Sequence, residues 1–178
     1  MRKTRGEAGF TLIDVLFTVA IIGTLSAIAM PGLFRARAQA GTAGALGSLR
    51  VINGGQLSYA ISCGSGFYAP GLRTLGTAPA GSQQAFVPAD LGTGNVVIKN
   101  NYRIQMSATA QPSAPASCNG VGPGLGGVGY RAGADSIAPD FPVHFSTNTT
   151  AAMWVGGPAP LYATTGEAIG PPGGTLVK

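Results

Sequence analysis

From Phe10 to Met30 the chain runs for 21 residues with a single ionisable side chain, Asp14. As a helix this run would span roughly 31 Å, about one hydrocarbon thickness. A carboxylate in hydrocarbon is costly unless it is paired, so Asp14 requires a partner or a purpose. Ahead of the run lies a short segment, Met1 to Ala8, carrying Arg2, Lys3 and Arg5 against Glu7. Basic residues on that flank favour a cytoplasmic amino terminus and an external body, while Arg35 and Arg37 beyond the run weaken the charge argument. A shorter secretory signal is the plain alternative. Ala27-Ile28-Ala29 would then offer the small residues for cleavage, and the product would be a soluble secreted protein. That alternative leaves the acid in the apolar core unexplained.

The line Gly9-Phe10-Thr11-Leu12-Ile13-Asp14-Val15-Leu16 resembles the processing site of type IV prepilins and type II secretion pseudopilins, in which Glu usually stands where this chain has Asp14. The resemblance covers Met1 to about Ser62 and also supports the orientation given above. It implies that a membrane peptidase cuts after Gly9 and methylates the new amino terminus, Phe10. Residues 1–9 would then be a leader. It implies that Asp14 neutralises the amino terminus of a neighbouring subunit as the filament grows, and it places Pro31 where type IVa-like pilins carry a helix proline. A buried carboxylate facing a buried ammonium relieves two desolvation costs at once, whereas either alone is heavily penalised. The alternative is a polar residue tolerated near the membrane interface. Aspartate holds its acid one methylene nearer the helix axis than Glu, which alters the pairing distance and leaves the sign of charge unchanged.

Composition fits an exported, packed assembly. Charged residues make up 10% of the chain, against roughly 25% in ordinary soluble domains, and Gly, Ala, Ser, Thr and Pro take their place. Lys and Arg total 11 and Asp and Glu total 6; removing residues 1–9 takes three cations and one anion, leaving a net charge near +3. The remaining 169 residues suffice for a long helix and one small domain. Outside the cytoplasm the two cysteines, Cys63 and Cys118, favour a disulfide over two unpaired buried thiols.

Four segments follow: 1–9 as leader, 10–30 as the membrane-spanning and filament-core half of a long helix, 31–62 as its amphipathic half, and 63–178 as a β-rich head. Past Pro31 the apolar positions Phe34, Ala38, Ala45, Leu49, Ile52 and Leu57 recur as a half-buried helix requires. Pro31 lacks the amide proton, so a kink or melted turn is expected there. Gly41, Gly44 and Gly47 either allow close helix approach or merely weaken the helix. Gly54-Gly55 could end it early. In the head, Val96 to Lys99 and Tyr102 to Met106 flank Asn100-Asn101 and read as a hairpin. Ser107 to Gly129 reads as an exposed loop. Val143 to Ser146, Ala152 to Val155 and a segment near Ile169 are further strand candidates. The expected fold class is α+β, a long N-terminal helix packed on a small antiparallel sheet, which is also the pilin architecture.

Catalytic groupings are not legible. His144, the single histidine, lies in a candidate strand, and a Cys–His pair would need a free Cys63 or Cys118 beside it. No metal set assembles; Asp135 and Asp140 could lend oxygens to a calcium loop but read better as surface-loop residues. Arg73, Lys99, Arg103, Arg131 and Lys178 are spread too thinly for a nucleic-acid patch. The Gly-rich stretch from Gly120 to Gly129 lacks the Lys-Ser/Thr ending of a phosphate loop. Asn148-Thr149-Thr150 matches a glycosylation sequon, or is simply strand. The expectation is a non-enzymatic filament subunit without cofactors. Its partners would be further copies of itself, the prepilin peptidase and methylase, an inner-membrane assembly platform, and the membrane before assembly. The rival is a minor pilin or pseudopilin acting at a tip in adhesion, DNA uptake or type II protein secretion. Either would begin as a single-pass inner-membrane precursor and end in an extracellular or periplasmic filament.

Overall fold

The computed structural model describes residues 10–139, 142–156 and 173–177. In chain order they form α1 (Leu12–Ser62), α2 (Leu72–Leu75), α3 (Ala89–Gly92), β1 (Val96–Lys99), β2 (Tyr102–Ala110), β3 (Gly127–Ser136), β4 (His144–Asn148), β5 (Met153–Gly156) and β6 (Thr175–Leu176). The class is α+β, a long N-terminal helix and an antiparallel sheet. The chain divides into two compact units, Met1–Gln39 and Ala40–Lys178, and α1 contributes to both.

In the first unit α1 runs through Pro31 without a break, so no turn melts there. The proline forfeits one backbone bond, to the carbonyl four residues back, in a helix of 51 residues. No described residue up to Gln39 is buried.

In the second unit α1 buries one face. Ala45, Ser48, Leu49, Ile52, Gly55, Gln56, Tyr59 and Ala60 recur at three- and four-residue steps and are all buried. Leu49 and Ile52 contribute about 2 kcal/mol each on burial. Two expected members of the stripe, Phe34 and Leu57, are instead exposed. Gln56 takes the buried place beside Leu57 because its amide pairs with a backbone: Nε2 donates to Ala69 O at 3.0 Å, and Ala69 N donates to Oε1 at 2.9 Å. Gly54-Gly55 does not end the helix. Gly55 lies where the chain at Phe86 and Val87 passes, and a Cβ there would stand 2.8 Å from Phe86 O. The helix closes after Ser62, where Gly64 N donates to Tyr59 O at 2.7 Å and Gly66, at positive φ, donates to Ala60 O at 2.9 Å.

The sheet is a meander in the order β1-β2-β3-β4-β5-β6, every neighbouring pair antiparallel. Its helix-side face carries Tyr102, Ile104 and Met106 of β2, Tyr130, Ala132 and Ala134 of β3, and Phe145 of β4, all in one core with Leu49, Ile52 and Tyr59. β1 and β2 form the expected hairpin, with Asn100 and Asn101 both at positive φ. The expected exposed loop from Ser107 to Gly129 is a misreading at both ends, since β2 continues to Ala110 and β3 begins at Gly127. β3 is the longest strand among the described residues, at 10, and is rich in Gly and Ala. Small side chains leave room for α1 to approach, which inverts the usual bulky strand signature. β4 and β5 lie one to two residues later than expected, and Ile169 falls outside the described residues.

Candidate assembly site

At the start of the first unit, Phe10 is the first described residue and is 80% exposed; Gly9 falls outside the described residues. Thr11 is the residue before α1 begins, and Asp14 is the third residue within it. The two cap the helix reciprocally. Thr11 N donates to Asp14 Oδ2 at 3.2 Å, the Thr11 hydroxyl donates to the same oxygen, and Asp14 N donates to Thr11 Oγ1 at 3.3 Å. This is a capping box, which satisfies donors that a helix start otherwise leaves orphaned and places a carboxylate at the positive end of the dipole. Asp14 therefore has a role inside its own chain that its position in an apolar run did not disclose. The available signal was Thr-x-x-Asp immediately ahead of a long apolar stretch. Asp14 Oδ1 has no partner among the described residues.

Beyond the cap, α1 contains a stretch long and apolar enough to cross a membrane, and none of that stretch is buried. Pro31 lies inside α1 just past that stretch, flanked by Gly23 and Gly32, both of which face open space. The three recurring glycines divide. A Cβ on Gly44 would stand 2.6 Å from Asn100 Nδ2, and one on Gly41 would stand 3.2 Å from Asn100 O, so these two admit the hairpin tip against the helix. Gly47 meets nothing within 4 Å.

In the second unit Cys63 and Cys118 form a disulfide with Cα atoms 4.9 Å apart, joining the end of α1 to the connection between β2 and β3. Asp135 corrects an expectation: it is no surface-loop residue but lies in β3, 3% exposed, with Oδ1 3.2 Å from His144 Nδ1. Gln105 Nε2 donates to Asp135 Oδ2 at 3.3 Å. Asp140 falls outside the described residues. Among the described residues no group of three or more His, Cys, Asp or Glu converges on one point. Asn148 of the sequon is fully buried; its Oδ1 accepts from Thr150 N at 3.0 Å and caps the β4–β5 turn, a position unsuited to carrying a glycan. Ser146 Oγ and Asn148 Nδ2 are buried without a partner among the described residues. The cations sit on separate elements: Arg73 on α2, Arg103 on β2, Arg131 on β3, where its Nε donates to Ser107 Oγ at 3.3 Å, and Lys99 on β1. Lys99 Nζ lies 2.6 Å from Asp90 Oδ2, and this hydrogen bond holds the Asp90 carboxyl below its ordinary value.

Against family models, curated proteins and solved structures alike, the chain finds no match.

Proposed function

We propose that this chain is a non-enzymatic structural subunit of a type IV pilus-like filament. It is cleaved after Gly9, N-methylated at Phe10 and polymerised through the apolar part of α1. One observation carries the reading: a helical stretch whose large apolar side chains are all exposed has Asp14 in its first turn, within the line that resembles a prepilin processing site. Such a stretch has two physical resting places, lipid and the equivalent helices of other copies. Moving from the first to the second exchanges lipid contacts for helix packing with little change in apolar exposure. A sheet domain with its own core and an oxidised cysteine pair suits the side of the membrane away from the cytoplasm.

In this scheme the subunit waits as a single-pass inner-membrane precursor with its head outside. The peptidase creates a new ammonium at Phe10, and the assembly platform inserts the matured helix beside its predecessors. Asp14 of one copy receives the ammonium of another, so that each charge removes the desolvation cost of the other. The expected outcome of amino-terminal sequencing and mass measurement on the mature chain is N-methylated Phe10. Asp14→Ala should insert and be cleaved normally yet yield no filaments by electron microscopy of sheared cell-surface material. Any other mature terminus, or abundant Asp14→Ala filaments, overturns the reading.

A further inference from the structure

We infer that Asn119–Gly120 is a site of spontaneous covalent modification, at which loss of the side-chain amide unlatches the β2–β3 connection from α2. The inference stands apart from the filament reading, since it concerns only the head. The chain has two Asn–Gly pairs, Asn53–Gly54 and Asn119–Gly120. Such a pair is chemically labile because the nitrogen after the asparagine belongs to a residue with no side chain to shield it. That nitrogen can bond the asparagine Cγ and close a five-membered ring. The Cγ–Nδ2 bond breaks, and ammonia leaves with the proton that the glycine nitrogen has given up through solvent. Water then opens the ring at either of its carbonyls, which leaves aspartate or isoaspartate.

The fold treats the two pairs oppositely. Gly54 lies inside α1, where its nitrogen belongs to the helical ladder. Asn53 is pinned to β3 and β4: its Oδ1 accepts from the Tyr130 hydroxyl at 2.9 Å, and its Nδ2 donates to Thr147 Oγ1 at 2.9 Å. Ring closure there has to break the helix and these contacts together. Gly120, by contrast, is exposed and at positive φ. Its nitrogen lies 3.4 Å from Ser117 O, a long and weak hydrogen bond. Ser117 Oγ donates to Asn119 Oδ1 at 2.7 Å. That bond draws electron density from Cγ and stabilises the oxygen on which negative charge builds as the ring forms.

Asn119 is also the latch. Its Nδ2 donates to Thr74 O at 2.8 Å and to Thr77 O at 3.0 Å, which joins the connection to α2 and the turn after it. Neither bond is fully buried, and local openings cost least at such places. A carboxylate has no N–H, so conversion sets an anionic group that only accepts against two carbonyl oxygens. Repulsion replaces two hydrogen bonds, and a transient opening becomes permanent. Cys118 stays tied to Cys63, so the segment loosens without leaving the end of α1. The chemistry runs one way, and the converted fraction therefore records the age of the folded head.

The test incubates the full chain in nanodiscs in mildly alkaline buffer and follows both pairs by peptide mass, beside a urea-unfolded control. Asn119 should convert within about tenfold of the control rate and Asn53 at least about a hundredfold below it, because openings range from nearly free in surface loops to the full unfolding cost in the core. Asn119→Gln, which would need a six-membered ring, should show no conversion at this position. The aged wild-type fraction, separated by its added negative charge, reports on the latch. Ser117 N donates to Val121 O at 2.9 Å and Val121 N to Ser117 Oγ at 3.1 Å. Hydrogen exchange of these two amides should run about tenfold faster in the aged fraction than in unconverted chain, the scale of one or two lost hydrogen bonds. Equal protection of Asn119 and Asn53 overturns the site. Unchanged exchange in the aged fraction, or the same acceleration in equally aged Asn119→Gln, overturns the latch.

Discussion

Tyr130 shows how single side chains fasten the helix to the sheet. Its hydroxyl donates to Asn53 Oδ1 at 2.9 Å, Asn53 Nδ2 donates to Thr147 Oγ1 at 2.9 Å, and its ring meets Tyr68 edge-on with centroids 5.0 Å apart. Burial pushes the Tyr130 phenol well above its ordinary value, with the neighbouring Tyr68 adding to the effect, and burial likewise raises Tyr59 and Tyr102. The sign follows from the neutral form being the one the fold accepts. Below the unfolded value, about 10, these phenols are neutral in both states and their contribution is complete. As pH rises past 10 the unfolded chain ionises first, and stability falls. Urea titrations should therefore show a head of constant stability between about pH 7 and 9 and a decline beyond 10. Tyr130→Phe should cost about 1 kcal/mol at neutral pH through the lost hydrogen bond and should make the alkaline decline shallower. A variant with the wild-type alkaline slope would contradict this assignment. Asp14 stood out in the sequence because a charge in an apolar run has no neighbours to hide among, but its capping bonds to Thr11 did not. The partners of Asn53 and Gln56 were not legible either, since a polar residue on a helix face turned to the core looks like a surface residue until those partners, 77 and 13 residues away, are known.

Among the elements, α1 and the β1–β2 hairpin were readable because their signals are local: an apolar period for the first, paired asparagines between alternating strands for the second. β3 was not, because its small residues answer to the helix packed over them. A run such as Gly127 to Ser136, with one aromatic and five buried glycine or alanine positions, carries little strand propensity of its own and is held by β2 and β4 on its two edges. Gly41 and Gly44 belong with β3 in this respect; their service to the Asn100 hairpin tip is visible only across the packed layers. The disulfide ties these layers by the chain rather than by packing. It joins residues 55 apart, and in the chain-entropy account such a closure stabilises by about 4 kcal/mol. The double variant Cys63→Ala, Cys118→Ala should thus lose roughly 3–4 kcal/mol in denaturant titration, with the helix-to-sheet core retained below the new midpoint. A loss under about 1 kcal/mol would mean that the unfolded chain already holds these residues together.

For the molecule as a whole, the division at Gln39 separates two kinds of stability. Among the described residues, every member of the buried core lies in the second unit, from Ala45 onward, and none lies in the first. A helix that buries nothing within its own chain draws its stability from surroundings, because an isolated helix in water depends on length and propensity alone and offers no apolar shelter. The head, by contrast, has a helix face, a sheet and a disulfide that close on one another. A chain starting at Ala40 should therefore be soluble without detergent, form the Cys63–Cys118 bond, and unfold in urea within about 1 kcal/mol of the full chain held in nanodiscs, since distant independent parts add. Its helix start would fray by a turn, which the Gly41 and Gly44 contacts to Asn100 should confine to the residues before Ala45. Cooperative unfolding at a much lower midpoint, or a head that precipitates without residues 10–39, would show that the apolar half supports the fold as well as the proposed assembly. The opposite result would leave the apolar half of α1 free to be selected for lipid and for other copies of itself, with no debt to the core.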